Sequence, residues 1–274
     1  MSTAHTPDHT PDTPIDTALD EAKRLRARTK KKKTSQVKGG EREIIKATAL
    51  AWFNNHRKQL TPVFTKADLA EIDKLYQRLF AASNKVVLRS IYLDTLKEIT
   101  DTLAEFRSTN VIRLSEASFA PPTTDVPPDF SAVVSNDVMK KILEDRWTEI
   151  AACVAAKAPL AAMVMMGGLL EGILYAKVEK LADKTPVFTA AAAPKDGAGT
   201  PKKLKEWTLQ NYLDVAKELK WITQTIHGIG DVVRDYRNFV HPHKQHAEGM
   251  FVAPEDAKIL WEIAKSIARQ SLKP

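Results

Sequence analysis

Four polar residues, Arg234, Arg237, Asn238 and His241, fall at i, i+3, i+4 and i+7 in the run Arg-Asp-Tyr-Arg-Asn-Phe-Val-His-Pro at 234–242. On a helix that spacing stacks their side chains along one stripe, while Val233, Phe239 and Val240 point elsewhere. The two guanidinium groups are planar forks of donors that match phosphate oxygens, and imidazole gives or takes a proton near neutral pH. Cleaving a ribonucleotide strand needs those services: a group for the 2′-hydroxyl or leaving-group proton, and cations around the crowded phosphorus centre. That chemistry demands no metal. The plainer reading of the same residues pairs both arginines with acidic neighbours and leaves His241 capping carbonyls at a helix end, where the dipole favours an imidazolium.

The stripe needs a helix that ends beside it. Pro242 cannot continue a helix, so the spacing predicts a motif helix over about residues 222–241 with His241 in its last turn. Gly228 and Gly230 thin its first half, where a bend is expected. Upstream, Pro159 suits the first position of a helix running to about Asp183. In it Ala161, Ala162, Gly167, Gly168 and Gly172 let another backbone come close, and Met163, Met165 and Met166 at helical spacing read as core or dimer-interface filler.

Residues 159–274 resemble a HEPN domain, an all-helical module whose signature is an Arg and a His separated by a short spacer on its last conserved helix. Six residues, 235–240, lie between Arg234 and His241, the wide end of the family's range. The phrase RDYRNFVHP is similar to the Arg-Asn and His-Pro wording of bacterial members. GGLLEGIL at 167–174 resembles the helix that carries an acidic residue facing the site, which puts Glu171 in the acidic position. The resemblance implies that His241 is a general acid/base, that Arg234 and Arg237 clamp phosphate, and that Asn238 and Glu171 orient the reacting groups.

Two departures qualify the match. Arg237 and His241 enclose only three residues, so Arg234 must be the motif arginine and Asp235 the polar residue that follows it. Members modified by a partner nucleotidyltransferase carry a Tyr two residues after the His, where this chain has His243. The resemblance therefore implies a metal-independent endoribonuclease built from two subunits whose motif helices meet, of the kind found in toxin, stress and anti-phage systems with a regulatory or antitoxin protein as partner. The alternative it leaves open is a noncatalytic module that binds nucleic acid or a protein.

Composition narrows the remaining classes. The chain has 274 residues, room for two helical units, and a single cysteine, Cys153, which excludes a disulfide framework. Its neighbours Ala151, Ala152 and Val154 predict a buried small hydrophobe, and a reducing cytoplasm is the expected location. The apolar run 158–170 is 13 residues long and broken by Pro159 and Gly167-Gly168, so no membrane span is expected, and residues 1–20 lack a signal peptide's apolar segment. His241, His243 and His246 form a second reading as a zinc site, but no cysteine is near and Asp235 and Glu248 lack ligand spacing; no metal and no cofactor are expected. Gly197-Ala-Gly199 precedes no GK[ST], and no Ser/His/Asp order points to acyl transfer.

The net charge of +7 is uneven: residues 1–40 carry nine Lys or Arg against five Asp or Glu. Eight of these bases fall in the eleven residues 23–33, where no acid and no aromatic interrupts them. Lys30, Lys31, Lys32 and Lys33 would hold RNA by neutralising phosphates, and without aromatics they would not do so by stacking; the plainer reading is a solvated tail. Lys195, Lys202, Lys203 and Lys205 lie in or beside a long irregular segment, 185–202, and Lys202 and Lys203 are further RNA-binding candidates if it rims the site.

The expected fold class is all-α, built from antiparallel helical bundles. Residues 1–40 read as a disordered basic tail, although a helix starts near Asp16 and fades at Gly39-Gly40. Residues 41–118 read as a helical accessory domain and 119–134, rich in proline, as a linker. Residues 135–274 are expected to be the HEPN-like domain of four to five helices. Helices are expected over 41–59, over 65–82 behind a Thr65/Asp68 capping box, over 86–106, over 135–157, over 209–219 and over 254–272. His56 and Arg57 are expected on the surface.

Overall fold

A computed structural model of the chain describes residues 13–37, 39–119, 125–223, 227, 230, 232–234, 236, 241–248 and 252–273. The fold is all-α: among the described residues there is no strand, only two isolated bridges, Gln36 with Leu88 and Lys195 with Pro201. The chain divides into two compact units, residues 1–37 with 52–121, and residues 38–51 with 122–274.

In the first unit, α1 (Pro14–Lys31) begins at a capping box in which Thr13 and Asp16 satisfy each other's backbone N–H groups, with Pro14 in the first turn. Ile15, Ala18, Leu19, Ala22 and Leu25 form its buried stripe, which packs on α5 (Arg89–Thr109). The helix expected from near Asp16 is thus present, starting at Pro14 and ending at Lys31, short of Gly39-Gly40, and the disordered-tail reading of 1–40 does not hold for residues 14–31; residues 1–12 lie outside the described residues. Thr65 and Asp68 cap α4 (Lys66–Ser83) as expected, and its buried stripe is Leu69, Ile72, Leu75, Tyr76 and Leu79. α5 starts three residues later than expected: Val86 and Leu88 are exposed, and four of its core positions, Tyr92, Leu96, Ile99 and Leu103, are fully buried.

The expected domain boundary at residue 41 is displaced. α2 (Gly39–Ala51) belongs to the second unit, where Ile44, Ile45, Ala47, Ala49 and Leu50 are buried. The helical path continues as a π-helical turn, Trp52–His56, and a short α3 (Arg57–Leu60), both in the first unit. There Trp52 stacks on Tyr76 with ring centroids 5.0 Å apart and 3° between planes. Asp73 accepts from Trp52 Nε1 at 2.8 Å and from Arg57 Nε at 2.9 and 2.8 Å. His56 lies against Glu21 at 3.0 Å, so it is a buried pairing residue rather than the surface residue expected. A short α6 (Val111–Glu116) follows α5.

The second unit takes in most of the expected linker. Asp125 accepts from the Trp147 indole on its carbonyl at 2.8 Å and, on Oδ1, from the Trp261 indole at 2.8 Å and Lys265 at 3.0 Å. Phe130, Val133 and Val134 are buried. From residue 125 the chain is therefore tied into the second unit through Asp125, Phe130, Val133 and Val134, and the proline-rich stretch 120–124 lies outside the described residues. Asn136 caps α7 (Asp137–Ala155) through Val138 and Met139 N–H groups at 2.9 and 3.1 Å. A three-residue connection then folds the chain into α8 (Pro159–Lys180), the central helix of the unit.

α8 packs on α7, on α10 (Leu209–Glu218) and on α12 (Pro254–Ser271). By length and composition it could cross a membrane, having continued past the expected 13-residue run; half of its most apolar stretch is buried in the fold, with Met163, Met166, Leu169 and Ile173 fully enclosed. Its small residues face its own neighbour: a Cβ on Gly168 would lie 3.3 Å from Arg146 Nη1, and one on Gly172 3.1 Å from Leu143 Cδ2. Cys153 is half-buried rather than enclosed. After α9 (Thr185–Thr189) the long segment to 202 is built rather than irregular: Asp196 caps the N–H groups of Ala198 and Thr200, and Glu218 accepts from Ala191 and Ala192 at 2.7 and 2.8 Å. α11 (Pro242–Glu248) and α12 close the chain, with Ile259, Leu260, Ile263 and Ile267 of α12 buried as expected.

Candidate functional site

The residues described between 227 and 236 are helical. This motif segment lies close to α10. A Cβ on Gly230 would stand 2.5 Å from Leu213 Cδ1 and 2.6 Å from Cδ2, so glycine lets the motif backbone sit directly against the Leu213 side chain. The role of Gly230 is close packing. Val232, Val233 and Tyr236 are buried on the same segment, and Arg234, between them, is half-buried.

α10 is formed by another reciprocal cap, Thr208 with Asn211, and by an apolar set, Leu209, Tyr212, Leu213, Val215 and Ala216, that is buried. Its remaining face carries Gln210 and Asp214, four residues apart and therefore neighbours on the helix surface. Gln210 Oε1 accepts from the Arg234 guanidinium, Gln210 Nε2 donates to Asp214 Oδ1 at 2.7 Å, and the same oxygen meets His227 Nε2 at 2.5 Å. His227, Asp214, Gln210 and Arg234 thus form one hydrogen-bonded run across two packed helices. The amide orientation of Gln210 follows from its partners, since a guanidinium only donates and a carboxylate only accepts. Arg234 meets α10 in its first turn, where the helix dipole adds positive character.

Glu171, on α8, is half-buried and reaches α10 electrostatically. Burial pushes the Tyr212 phenol well above its ordinary value, and the Glu171 carboxylate adds to that shift. The Tyr212 hydroxyl donates to the Leu204 carbonyl at 2.7 Å. Farther along α8, burial lowers Lys177, whose ammonium donates to the Ser271 and Lys273 carbonyls at 2.9 and 2.6 Å.

His241 is placed differently from the expectation. It sits in a bend, exposed, and Pro242 opens a new helix, α11, where the expectation had only the end of the preceding one. The fixed φ of proline serves equally at the first position of a helix, which the sequence pattern alone does not separate from a stop. Its ring lies 5.9 Å from that of His243, centroid to centroid, at 33°. Arg237 and Asn238, with Asp235, lie outside the described residues, so the stripe is described only at Arg234 and His241. Among the described residues no group of three or more His, Cys, Asp or Glu is arranged to hold a metal ion.

Lys202 and Lys203 are exposed at the base of the segment that leads into α10, and the Lys202 carbonyl accepts from the Trp207 indole at 3.0 Å. Lys30, Lys31 and Lys33 are exposed and Lys32 half-buried, at the end of α1 and just beyond it, in the first unit. The motif reading singles out Arg234 but not its partners Gln210, Asp214 and His227. Their signal is in the sequence as spacing: Gln210 and Asp214 share a face of α10, and His227, Arg234 and His241 recur at intervals of seven. Compared with known proteins, the chain matches no family model, no curated protein and no solved structure.

Proposed function

We propose that this chain is a metal-independent endoribonuclease of HEPN type that works as a homodimer, in a toxin, stress or anti-phage setting in the cytoplasm. The observation that supports this reading best is the held guanidinium: Arg234 is fixed by Gln210 inside the run that also contains the Asp214 and His227 pair. A pre-positioned cation of this kind stabilises charge that develops on a phosphate without having to reorganise during the reaction. His241 supplies the exposed imidazole on the same stretch of chain.

In the proposed reaction His241 takes the proton of the ribose 2′-hydroxyl, and the 2′-oxygen forms a bond to phosphorus. The bond from phosphorus to the 5′-oxygen breaks, and that oxygen receives a proton from the imidazolium of the second subunit. The products are a 2′,3′-cyclic phosphate and a 5′-hydroxyl. Arg234 and Arg237 hold the nonbridging oxygens, while Asn238 and Glu171 orient the reacting groups. Gly168 and Gly172 of α8 face α7 within the chain, so the dimer would use another face.

The test is incubation of purified protein with total RNA in EDTA beside a His241→Ala control. Cleavage in chelator that leaves cyclic or 3′-phosphate ends and is lost in His241→Ala is the expected result, with dimers by light scattering. Cleavage that requires zinc or magnesium would overturn the mechanism. A His241→Ala protein that cleaves normally would replace it with the noncatalytic nucleic-acid or protein-binding module, a reading that the position of His241 beside His243, with no carboxylate partner among the described residues, also favours.

A further inference from the structure

The basic run near the N-terminus is built into a helix with two distinct faces. The apolar stripe of α1 is buried in the first unit on α5, which turns the opposite face outward. Lys23, Arg24, Ala27, Lys30 and Lys31 are exposed and fall at i, i+1, i+4, i+7 and i+8, a single stripe whose ends are about 12 Å apart along the axis. Lys33 follows directly and is exposed too. Asp20, a turn upstream, is the one acid of α1 on this face. Lys23, Lys30, Lys31 and Lys33 have no acidic partner among the described residues.

The far end of the stripe is pinned. Arg89, 6% exposed, donates from Nη1 to the Thr29 carbonyl at 3.0 Å and from Nε to the Thr34 carbonyl at 2.6 Å. Its Nη2 donates to Thr34 Oγ1 at 2.6 Å and to the Gln36 carbonyl at 2.9 Å. The Arg89 N–H also donates to the Ser35 carbonyl at 2.8 Å. One buried guanidinium therefore caps the last turn of α1 and fixes the chain beyond it, so that Lys30 to Lys33 are carried on an anchored frame rather than a loose tail.

We propose that this outer face of α1 docks the phosphate backbone of an RNA duplex, such as the stem of a structured RNA. A fixed row of cations suits a partner whose phosphates are themselves held in fixed rows, and the contact reads charge without sequence. A single strand would be bound chiefly by stacking on aromatic side chains, and the stripe has none. An anionic membrane is the other polyanion that basic amphipathic helices meet, but such helices insert their apolar face, and here that face is committed to α5. The choice of RNA over DNA rests on the endoribonuclease reading; the docking itself does not, and it is measured without cleavage.

The experiment is fluorescence anisotropy of the full chain with duplex RNA of about 20 bp, in two unrelated sequences, between about 50 and 200 mM salt. Equal affinity for both sequences is expected, with a log–log salt slope near about −4, one unit for each phosphate neutralised. Replacing Lys23, Lys30, Lys31 and Lys33 by Gln together should flatten the slope by about 3 to 4 and weaken binding more than about tenfold, with the melting temperature unchanged. The milder pair Lys30→Gln and Lys31→Gln should flatten it by about half as much, which guards against a folding defect in the fourfold variant. Tighter binding to the single strand, or to vesicles containing anionic lipid, would overturn the proposal, as would a slope that survives the substitutions. Equal binding to a DNA duplex would remove the choice of RNA. Duplex binding with the expected slope in a protein that cleaves nothing would leave the docking face standing and remove the nuclease reading alone.

Discussion

Each unit holds a histidine against a carboxylate, and the two pairs are built for different ends. In the first unit His56 meets Glu21 at 3.0 Å, with side-chain exposures of 4% and 9%. In the second, His227 meets Asp214 at 2.5 Å with exposures of 10% and 34%, and the same carboxylate oxygen goes on through Gln210 to Arg234. The first pair ties α1 to the π-helical turn and its energy goes into the fold. The second leads outward to a half-buried guanidinium. What distinguishes a structural pair from a positioning one is therefore not its chemistry but where the second acceptor lobe of the carboxylate leads, and how much of it meets solvent.

Ways of breaking that comparison can be ranked by effect. The largest is expected from His56→Ala, which leaves Glu21 buried without its imidazole. Urea unfolding should show a loss of about 3 to 5 kcal/mol. A loss below about 1 kcal/mol would mean that the pair carries little of the fold and would dissolve the contrast. Next is Gly230→Ala, whose new methyl group would meet Leu213. It should cost about 1 to 3 kcal/mol, and combining it with Leu213→Ala should cost less than the two single changes added. Strict additivity would show that α10 and the motif segment are not pressed together there.

Asp214→Asn sharpens the comparison rather than breaking it. Asparagine keeps the shape but removes the charge that holds both Gln210 and His227, so Arg234 loses its orientation. Cleavage should fall about tenfold, about 1.4 kcal/mol in the barrier, while stability moves less than that. Asp73→Asn in the first unit, which disturbs Trp52 and Arg57, should leave cleavage unchanged. A nuclease indifferent to Asp214→Asn would show that the run does not position Arg234. The smallest effect is expected where both partners are well exposed: Lys97 and Asp101, 2.7 Å apart with exposures of 60% and 63%, should tolerate Lys97→Ala within about 0.5 kcal/mol.

Much of this architecture is legible in the order of residues. The Thr65/Asp68 capping box, Asn136 before α7, Pro159 at the start of α8 and the apolar stripes of α4 and α12 follow from rules acting within a few residues. α1 was legible as a helix from near Asp16, since Ile15, Ala18, Leu19 and Ala22 precede the bases at helical spacing, but its end at Lys31 was not, because the Arg89 contacts that fix it come from 60 residues away. His56 and Asp125 illustrate what local rules miss. Each looks like a surface residue in its own neighbourhood, and each is tied to partners more than 20 residues away, Glu21 for one and Trp147, Trp261 and Lys265 for the other.

The sequence by itself determined the all-α class, the caps that start the helices and the side-chain stripes, because helix propensity, capping and amphipathic periodicity are properties of contiguous residues. It also presented Arg234 and His241 as a pair suited to phosphate chemistry. Only the tertiary structure decided that α2 joins the second unit, that Pro242 opens a helix as well as ending a stripe, and that Arg234 is held through Gln210, Asp214 and His227. Those choices depend on which helices come within reach of one another. The approach of Gly230 to Leu213 fixes that for the motif segment, and no window of the sequence contains both sides of the contact.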